Sequence, residues 1–387
     1  MATNKYQLPS PYVTASPLQP TEDEVYYRHL DDLKLESPKQ NTKYGVAIFG
    51  VGRAGTIHLR NILNNRRLDL LYIVEDEEDR LEKIEKYYCL DPKSVRLISG
   101  KQSSLVYSDP KVRFVVVSTP TDTHEAIIDQ ALKHNKAVFC EKPISSDVGV
   151  TVKLFALARQ VNQPLFSAFN RRFDPSYANI RKRVRAGEVG KVLTVKVCNR
   201  DAPMPSLEFL KISSGVFYDA FVHDVDLVLY SLGELPDKVV SFSHATVPEI
   251  KALGDYDNVS VLLSFPSGTN GIIDLCRQCS YGNEQRLEVF GEKGMLKAEN
   301  RAALGNVELY TLEAVSKGPI DYSFPSRYKE AYERELQHFV DVLDGTATIL
   351  VTEKTTMAVS KIATAVEESA RTGKIVQLRW TADEAIE

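Results

Sequence analysis

Residues 44–59 read YGVAIFGVGRAGTIHL. The apolar run Tyr44–Phe49 predicts a buried strand, and it leads directly into Gly50-x-Gly52-x-x-Gly55 and a helical pattern. Gly50 lets the chain turn sharply off the strand, Gly52 leaves no Cβ between the backbone and a pyrophosphate, and Gly55 lets the helix pack close to the sheet. A glycine-rich turn alone is also typical of an ordinary tight turn, but strand, turn and helix in this order predict a dinucleotide-binding fold.

The acidic residue that such a fold places at the adenosine ribose is Glu75. It follows Gly55 by about 20 residues, at the end of the apolar run Leu68–Val74. Its carboxylate can accept hydrogen bonds from the ribose hydroxyls, whereas the 2′-phosphate of NADP would meet the carboxylates of residues 75–78. NAD is therefore expected to be preferred over NADP, with Arg53 as the one residue that could pair with that phosphate.

Length and charge restrict the class of protein. A chain of 387 residues exceeds what one hydrophobic core usually serves, so two domains are expected. The net charge is −4, with 48 basic and 52 acidic residues spread along the chain, which indicates neither nucleic acid nor anionic lipid as a partner. No apolar run reaches the roughly 18–20 residues of a membrane span, and residues 1–42 lack an apolar signal-peptide core. A cytosolic location is therefore expected.

The five cysteines are an odd number scattered over a long chain, which favours reduced thiols over a disulfide framework. Cys276 and Cys279 have redox or zinc spacing, but no second ligand pair accompanies them. They fall at a predicted strand, where residues three apart point to opposite faces. No metal site is predicted.

The pattern along the chain changes twice. Residues 1–42 contain prolines among polar residues and are expected to form an extended or disordered extension. Residues 43–168 alternate strand and helix, which predicts an α/β Rossmann domain with a doubly wound parallel sheet and a ligand at the carboxyl ends of its strands. Residues 169–387 predict an α+β domain with a mostly antiparallel open sheet, for substrate binding and oligomerisation. Its predicted strands are 192–199, 237–243, 259–265, 269–276, Gln285–Phe290 and Val307–Leu312.

Polar residues follow two strands of the predicted Rossmann domain. Thr119, Pro120 and His124 come after one strand, and Glu141 and Lys142 come after another. The carboxyl ends of parallel strands meet at the same edge of a sheet, so these residues are expected to line the ligand crevice. A lysine is most often a solvated surface residue, but this position favours a functional role for Lys142.

The predicted helix 216–232 is apolar on nearly every side, yet it carries Asp219, His223 and Asp226 at positions i, i+4 and i+7. An ion pair on an exposed face would also give this spacing. Burying such groups costs several kcal/mol unless they are paired or used, so the stripe indicates a site. Asp219 could accept a hydrogen bond from one imidazole nitrogen of His223, which would leave the other nitrogen to exchange a proton with a substrate hydroxyl.

In combination, these motifs resemble the glucose-fructose oxidoreductase/inositol dehydrogenase/rhizopine catabolism (Gfo/Idh/MocA) family, with the closest likeness to myo-inositol 2-dehydrogenases. The motifs are Gly50-x-Gly52-Arg53-Ala54-Gly55, Thr119-Pro120-x-x-x-His124, Glu141-Lys142-Pro143 and Asp219-x-x-x-His223-x-x-Asp226. Residues 169–175, 199–203 and 285–294 also carry the likeness, which runs from about Tyr44 to Gly345. Two departures are Ser214, where a glycine is common, and the Tyr-Gly-Asn-Glu of residues 281–284, which could alter substrate choice.

The resemblance implies an NAD-dependent oxidation of a cyclic polyol hydroxyl to a ketone, from myo-inositol to 2-keto-myo-inositol, in a homodimer or homotetramer paired through the C-terminal sheet. The implied catalytic residues are Lys142, Asp219 and His223. The implied cofactor-binding residues are Gly50, Gly52, Arg53, Ala54, Gly55, Glu75, Thr119, Pro120, His124, Glu141 and Lys142. The implied substrate-binding residues are Asn170, Arg171, Asp201, Asp219, His223 and Asp226.

Two alternatives remain open. One is an NADP-linked relative that acts on an aldose, a deoxy sugar or a trans-dihydrodiol. The other is a non-catalytic protein that senses or binds NAD(P), a class that would be favoured by loss of the lysine or the histidine. Both residues are present, as Lys142 and His223.

Overall fold

The computed structural model describes residues 43–305 and 307–386. The expectation for residues 1–42 lies outside the described residues. From Tyr44 onward, the described residues pack together as one unit. The predicted domain boundary between residues 168 and 169 therefore stays a prediction.

The first part of the described chain builds a six-stranded parallel sheet. Its strands are β1 (Tyr44–Phe49), β2 (Leu68–Val74), β3 (Arg96–Ile98), β4 (Val112–Val117), β5 (Ala137–Glu141) and β6 (Leu165–Ala168), in the order β3-β2-β1-β4-β5-β6. Its helices are α1 (Arg53–Asn64), α2 (Glu78–Tyr88), α3 (Ser104–Ser108), α4 (His124–Lys133) and α5 (Val148–Gln160). The predicted doubly wound sheet is confirmed, and its strand order reverses between β1 and β4, where such sheets bind ligands.

These elements form where the sequence pattern predicts them. β1 and β4 are almost entirely buried, as strands covered by helices on both faces must be. α5 begins where the Asp147 side chain accepts hydrogen bonds from the N–H groups of Gly149 and Val150. The missed strand β3 has only three residues, too few to show a period.

The second part of the described chain builds a seven-stranded sheet. Its strands are β7 (Val192–Arg200), β8 (Lys238–His244), β9 (Asn258–Ser264), β10 (Asn270–Cys276), β11 (Glu284–Gly291), β12 (Gly294–Ala298) and β15 (Val376–Gln377), in the order β12-β11-β7-β10-β9-β8-β15. The pair β7–β10 is parallel and the other pairs are antiparallel, so the predicted, mostly antiparallel sheet is confirmed.

Helices cover one face of this sheet. The remaining helices are α6 (Pro175–Arg185), α7 (Leu207–Ile212), α8 (Val222–Leu232), α9 (Pro248–Ala252), α10 (Phe324–Arg327), α11 (Lys329–Leu343) and α12 (Glu353–Thr372). α6, α8 and α12 pack against the strands. The opposite face carries exposed apolar side chains, among them Phe242, Leu262, Phe290 and Met295. α11 packs instead on the first sheet, where the Phe339 ring lies 5.2 Å from Phe114 and 5.6 Å from Phe139.

One predicted strand differs from the structure, and two further elements were not predicted. The strand predicted over Val307–Leu312 does not join the large sheet. Within the described residues, β13 (Glu308–Tyr310) pairs only with β14 (Val315–Lys317), and every side chain in both strands is exposed. β12 was missed because its strand pattern covers only five residues. α6 was missed because it is rich in basic residues and buries only Tyr177 and Ile180, too few for a clear helical period.

Candidate active site

One cavity of about 800 Å³ lies at the carboxyl ends of the six-stranded sheet. The glycine-rich turn Gly50–Gly55, called the glycine fingerprint below, and the ends of β2, β4 and β5 line one side of it. Residues between β6 and α8, together with α10 and the start of α11, line the other side. The cavity therefore lies between the glycine-rich turn Gly50–Gly55 and the helix that carries Asp219 and His223.

The glycine fingerprint forms the open cradle that a dinucleotide needs. Gly50 has a φ of +80°, and a Cβ on Gly55 would stand 2.1 Å from the Gly50 carbonyl oxygen. No atom lies within 4 Å of the place where a Cβ on Gly52 would stand, so the backbone is open there. α1 begins at Arg53, and Arg53 and Ala54 line the cavity at its amino-terminal end. These residues fit a dinucleotide pyrophosphate.

Glu75 lies at the rim of the cavity with its carboxylate held by donors. It accepts hydrogen bonds from the Val51 N–H at 3.1 Å, from the Asp76 and Glu77 N–H groups, and from Arg80 Nη1 at 3.0 Å. Burial acts to raise the pKa of Glu75, but these backbone donors and Arg80 outweigh burial and lower it. An ionised acceptor therefore lies where the fold places the adenosine ribose.

The Arg53 guanidinium lies over two aromatic rings. Its guanidinium carbon lies 4.6 Å from the centre of the Phe209 ring and 5.1 Å from that of Phe324, and both rings line the cavity. The structure thus gives Arg53 a cation–π contact across the cavity. The arginine that contacts Glu75 is Arg80, which no sequence motif singled out.

Thr119, Pro120 and His124 line the cavity as expected, but the two His124 nitrogens contact backbone. Nε2 lies 2.9 Å from the Thr119 carbonyl oxygen and Nδ1 lies 2.9 Å from the Pro143 carbonyl oxygen. Burial lowers the pKa of His124, although these carbonyls act to raise it. His124 thus ties together the segments that follow β4 and β5.

Glu141 also lines the cavity, while its carboxylate contacts α1. Its Oε1 lies 2.7 Å from Nε2 of the fully buried His58. The side chain of Lys142, the next residue, points away from α1 and contacts Asp219. The end of β5 therefore holds two charged residues that point in different directions: Glu141 contacts α1, and Lys142 contacts Asp219.

The helix that carries Asp219 and His223 has an irregular start. A π turn occupies Phe217–Phe221, and regular α8 follows from Val222. π turns are rare and occur frequently at functional sites. Asp219 lies in the π turn and His223 lies one turn further, and both line the cavity.

Two cations hold the Asp219 carboxylate. Lys142 Nζ donates to the Asp219 carbonyl oxygen at 2.6 Å and to Oδ1 at 3.1 Å, and Arg277 Nη1 donates to Oδ2 at 2.9 Å. Burial acts to raise the pKa of Asp219, but Lys142 and Arg277 outweigh it and bring the pKa to about 2. Asp219 is therefore ionised and its two oxygens are engaged.

The expected hydrogen bond from His223 to Asp219 is not formed. His223 Nδ1 is buried and has no hydrogen-bond partner among the described residues. Both Asp219 oxygens instead accept hydrogen bonds from cations, Lys142 and Arg277. Burial, together with the charges of Lys142 and Arg171, lowers the pKa of His223 well below its ordinary value. The imidazole is thus neutral at neutral pH.

Asn170, Arg171 and Asp201 line the cavity as the resemblance implied. Arg171 Nη1 donates to Asp224 Oδ1, and Asn199 Nδ2 donates to Asp224 Oδ2 at 2.8 Å. Burial raises the pKa of Asp224 to about 6, although Arg171 acts to lower it. Partial burial of Asp201 and the negative charge of Asp219 both raise the pKa of Asp201. The far end of the cavity therefore presents the Arg171 guanidinium and the Asp201 carboxylate, and Asp224 lies behind Arg171.

Asp226 does not line the cavity, contrary to what the resemblance implied. It is 1% exposed and accepts hydrogen bonds from Arg172 Nε at 2.9 Å and Nη2 at 2.6 Å. Its position, seven residues after Asp219, is about 10 Å farther along the helix. The spacing predicted the correct helix face but could not show that this position lies beneath the site.

Sequence reasoning missed Arg277, Asp224 and Asn199 as parts of the site. Arg277 follows directly after a predicted strand and is a lone basic residue between two cysteines, so only its strand-end position could have drawn attention. Asp224 lies beside His223 on the helix, outside the row formed by Asp219, His223 and Asp226.

Within the described residues, no group of three or more histidine, cysteine, aspartate or glutamate side chains could hold a metal ion. None of the helices in that part of the chain has the length and apolar character of a membrane span.

Two family models match this chain. A model described as an oxidoreductase family with an NAD-binding Rossmann fold matches residues 44–169, and the GFO/IDH/MocA C-terminal domain matches residues 177–297. The fold and the site together define the class: the protein is an oxidoreductase with an NAD-binding Rossmann fold.

Individual relatives cover most of the chain. The inositol 2-dehydrogenase of Rhizobium meliloti (strain 1021) is 32% identical over 78% of this chain and 89% of its own length. The scyllo-inositol 2-dehydrogenase (NAD(+)) of Bacillus subtilis (strain 168) is 31% identical over 86% and 95%. The crystal structure of a myo-inositol dehydrogenase from Corynebacterium glutamicum ATCC 13032 superposes with a TM-score of 0.78 at 30% identity, over 88% of this chain and 100% of that one. This chain belongs to the Gfo/Idh/MocA family.

Proposed function

We propose that this protein oxidises a ring hydroxyl of an inositol to a ketone. The observation that carries the proposal is that Lys142, Asp219 and His223 line the same cavity as Gly52 and Glu75. Relatives named as inositol dehydrogenases support the substrate class. NAD⁺, when bound, supplies the hydride acceptor.

His223 acts as the proton acceptor in this proposal. A hydroxyl must lose its proton as the C–H bond breaks, and a neutral imidazole in the cavity can receive it. The depressed pKa of His223 supports this role, because it keeps the imidazole unprotonated at neutral pH.

Lys142 stabilises the oxygen that loses this proton. Its ammonium carries three N–H donors, and Asp219 accepts two of them within the described structure. The third can donate to the substrate oxygen and favour its developing negative charge. Asp219 holds the ammonium in place rather than orienting the histidine.

NAD is proposed over NADP because of the charge near Glu75. A 2′-phosphate would meet Glu75, Asp76 and Glu77, while Arg80 is already paired with Glu75 and Glu77. Glu75→Ala should therefore lower the ratio of kcat/KM for NAD⁺ to that for NADP⁺. Steady-state kinetics with both cofactors measures the ratio, and an unchanged or larger ratio would contradict this role of Glu75.

The function is tested by a substrate panel. Purified protein is assayed with inositol isomers, aldoses, deoxy sugars and trans-dihydrodiols, each with NAD⁺ and NADP⁺, by nicotinamide absorbance. The highest kcat/KM is expected with an inositol and NAD⁺. A higher value with a sugar or dihydrodiol and NADP⁺ would support the first alternative. Binding of NADH without any turnover would support a non-catalytic nucleotide-binding protein.

We also propose a homodimer or homotetramer that pairs through the open face of the seven-stranded sheet. Its exposed apolar residues, including Phe242 and Leu262, support this assembly. The cytosolic location and the division of the chain at residues 168 and 169 stay predictions.

A further inference from the structure

Arg277 is the largest of the fully buried side chains in the described structure, at 0% exposure. It directly follows β10, and its own N–H donates to the Asp257 carbonyl oxygen at 2.8 Å. Removing a guanidinium from water in this way is strongly unfavourable unless carboxylates compensate it. The charge of Arg277 must therefore be compensated by the groups that contact it.

The partners of Arg277 are two carboxylates, Asp219 of the candidate site and Asp255 of the segment between α9 and β9. Nη1 donates to Asp219 Oδ2 at 2.9 Å, and Nη2 lies 3.6 Å from Asp255 Oδ2. Asp255 Oδ1 in turn accepts a hydrogen bond from the Val216 N–H at 2.9 Å, at the start of the π turn. Arg277 thus connects the end of β10 to the segment that carries Asp219 and His223.

The balance of charge explains what this connection does. Asp219 carries one negative charge between two cations, Lys142 on one oxygen and Arg277 on the other. Without Arg277, the Asp219 carboxylate would be free to rotate and to bind Lys142 with both oxygens. The third N–H of Lys142 would then lose the direction that the proposed reaction needs.

We infer that Arg277 is a positioning residue for the oxidation proposed above: it fixes the Asp219 carboxylate so that the Lys142 ammonium faces the substrate oxygen. It touches neither substrate nor cofactor, because it is absent from the cavity lining. The inference rests on the proposed function, since it assigns Arg277 a role in that reaction.

The pH dependence of kcat/KM separates positioning by charge from a purely structural role. The quantity to compare is the acid limb, the pH range over which kcat/KM falls as the base becomes protonated. The charges that act on His223 are those of Lys142 and Arg171. The carboxylates of Asp201 and Asp219 line the same cavity, and Asp224 is bound to Arg171. Removing the positive charge of Arg277 makes this environment more negative, which favours the protonated imidazole. The acid limb of Arg277→Met should therefore move to higher pH. Mere loosening of the fold would lower kcat without moving the limb.

The experiment compares wild type, Arg277→Met and Arg277→Lys in the full chain with NAD⁺ and the best inositol. Arg277→Met should lower kcat by about 10²-fold, with a smaller change in KM. Arg277→Lys keeps the charge and should recover at least about tenfold of that loss, with the wild-type acid limb. The control is Arg67→Met, because Arg67 also pairs with two carboxylates, Asp341 and Asp344, away from the cavity. It should keep wild-type kinetics.

Two results would overturn the inference. One is a folded Arg277→Met protein with wild-type kcat and acid limb. The other is a folded Arg277→Lys protein that loses about 10²-fold in kcat, and this variant decides the question if Arg277→Met does not fold. A wild-type protein that turns over no inositol would instead contradict the proposed function.

Discussion

Lys142 and His223 reach the same cavity from different parts of the fold. Lys142 follows β5 of the first sheet, while His223 belongs to α8 beside the second sheet. Asp219 binds the Lys142 ammonium and makes no bond to the imidazole. At the scale of residues, the proposed chemistry is therefore one base and one cation that are held independently.

Replacing Lys142 or His223 should strongly lower turnover and leave the nucleotide site intact. His223→Ala and Lys142→Met should each lower kcat by roughly 10²–10⁴-fold, as expected for lost acid–base or electrostatic help. NADH binding, followed by fluorescence, should change little in His223→Ala. Near-normal turnover of this variant with an intact fold would remove the histidine from its role.

The ionisation of His223 can be measured directly. Because burial and the charges of Lys142 and Arg171 lower its pKa, the imidazole should remain neutral as the pH falls to 6.5, the ordinary value. NMR of histidine-labelled protein should show this, with His223→Ala to assign the signal. A His223 titration midpoint at or above the ordinary value would contradict the burial described here.

Residue types and spacing predicted which side chains line the cavity, but not all their partners. Gly52, Glu75, Lys142, Asp219 and His223 all line one cavity, as expected from strand ends and helix spacing. The partners of Asp219 depend on where β10 ends in space, which a single sequence does not record. That is why Arg277 was missed and a bond between Asp219 and His223 was expected.

At the scale of elements, the segment before α8 departs from ideal backbone. Ser214 has a φ of +62° and Gly215 a φ of +84°, directly before the π turn. A Cβ on Gly215 would stand 3.2 Å from Asp255 Oδ1, the oxygen that accepts the Val216 N–H. The helix over 216–232 was predicted from its apolar pattern, but no pattern could reveal the π turn, because the same residues are compatible with a regular helix.

Ser214→Gly should stabilise the protein. The left-handed conformation costs a residue with a Cβ roughly 1–2 kcal/mol, and the greater freedom of glycine in the unfolded chain offsets about 0.5–1 kcal/mol of the gain. The free energy of unfolding should thus rise by up to about 1.5 kcal/mol. Denaturant unfolding measures it, and a fall in stability would show that the serine side chain contributes more than its backbone strain costs.

At the scale of the whole molecule, one sheet face lacks cover within the described chain. Phe242 is 65% exposed and Leu262 is 49% exposed, and Leu262 lies between Val240 and Ile272 on neighbouring strands. Antiparallel sheets often leave one face to water, but that face is then polar. A continuous apolar row is more typical of an interface.

Substituting two of these residues should dissociate the protein. Wild type should have a light-scattering mass of two or four 43.4 kDa chains, and Phe242→Lys with Leu262→Lys should shift it toward one chain. Tyr87→Lys is the control, because Tyr87 is also exposed but lies on α2, outside the sheet. A wild-type mass of one chain over a wide concentration range would refute the assembly.

Transfer of hydride from an inositol ring carbon is the central claim, and isotope labelling tests it most directly. Protein and NAD⁺ are incubated with an inositol deuterated at every ring carbon, and the reduced cofactor is analysed by mass spectrometry. We expect NADH that carries one deuterium, together with an inositol ketone. Unlabelled NADH, or no NADH with any inositol isomer while the protein binds the cofactor, would contradict the claim.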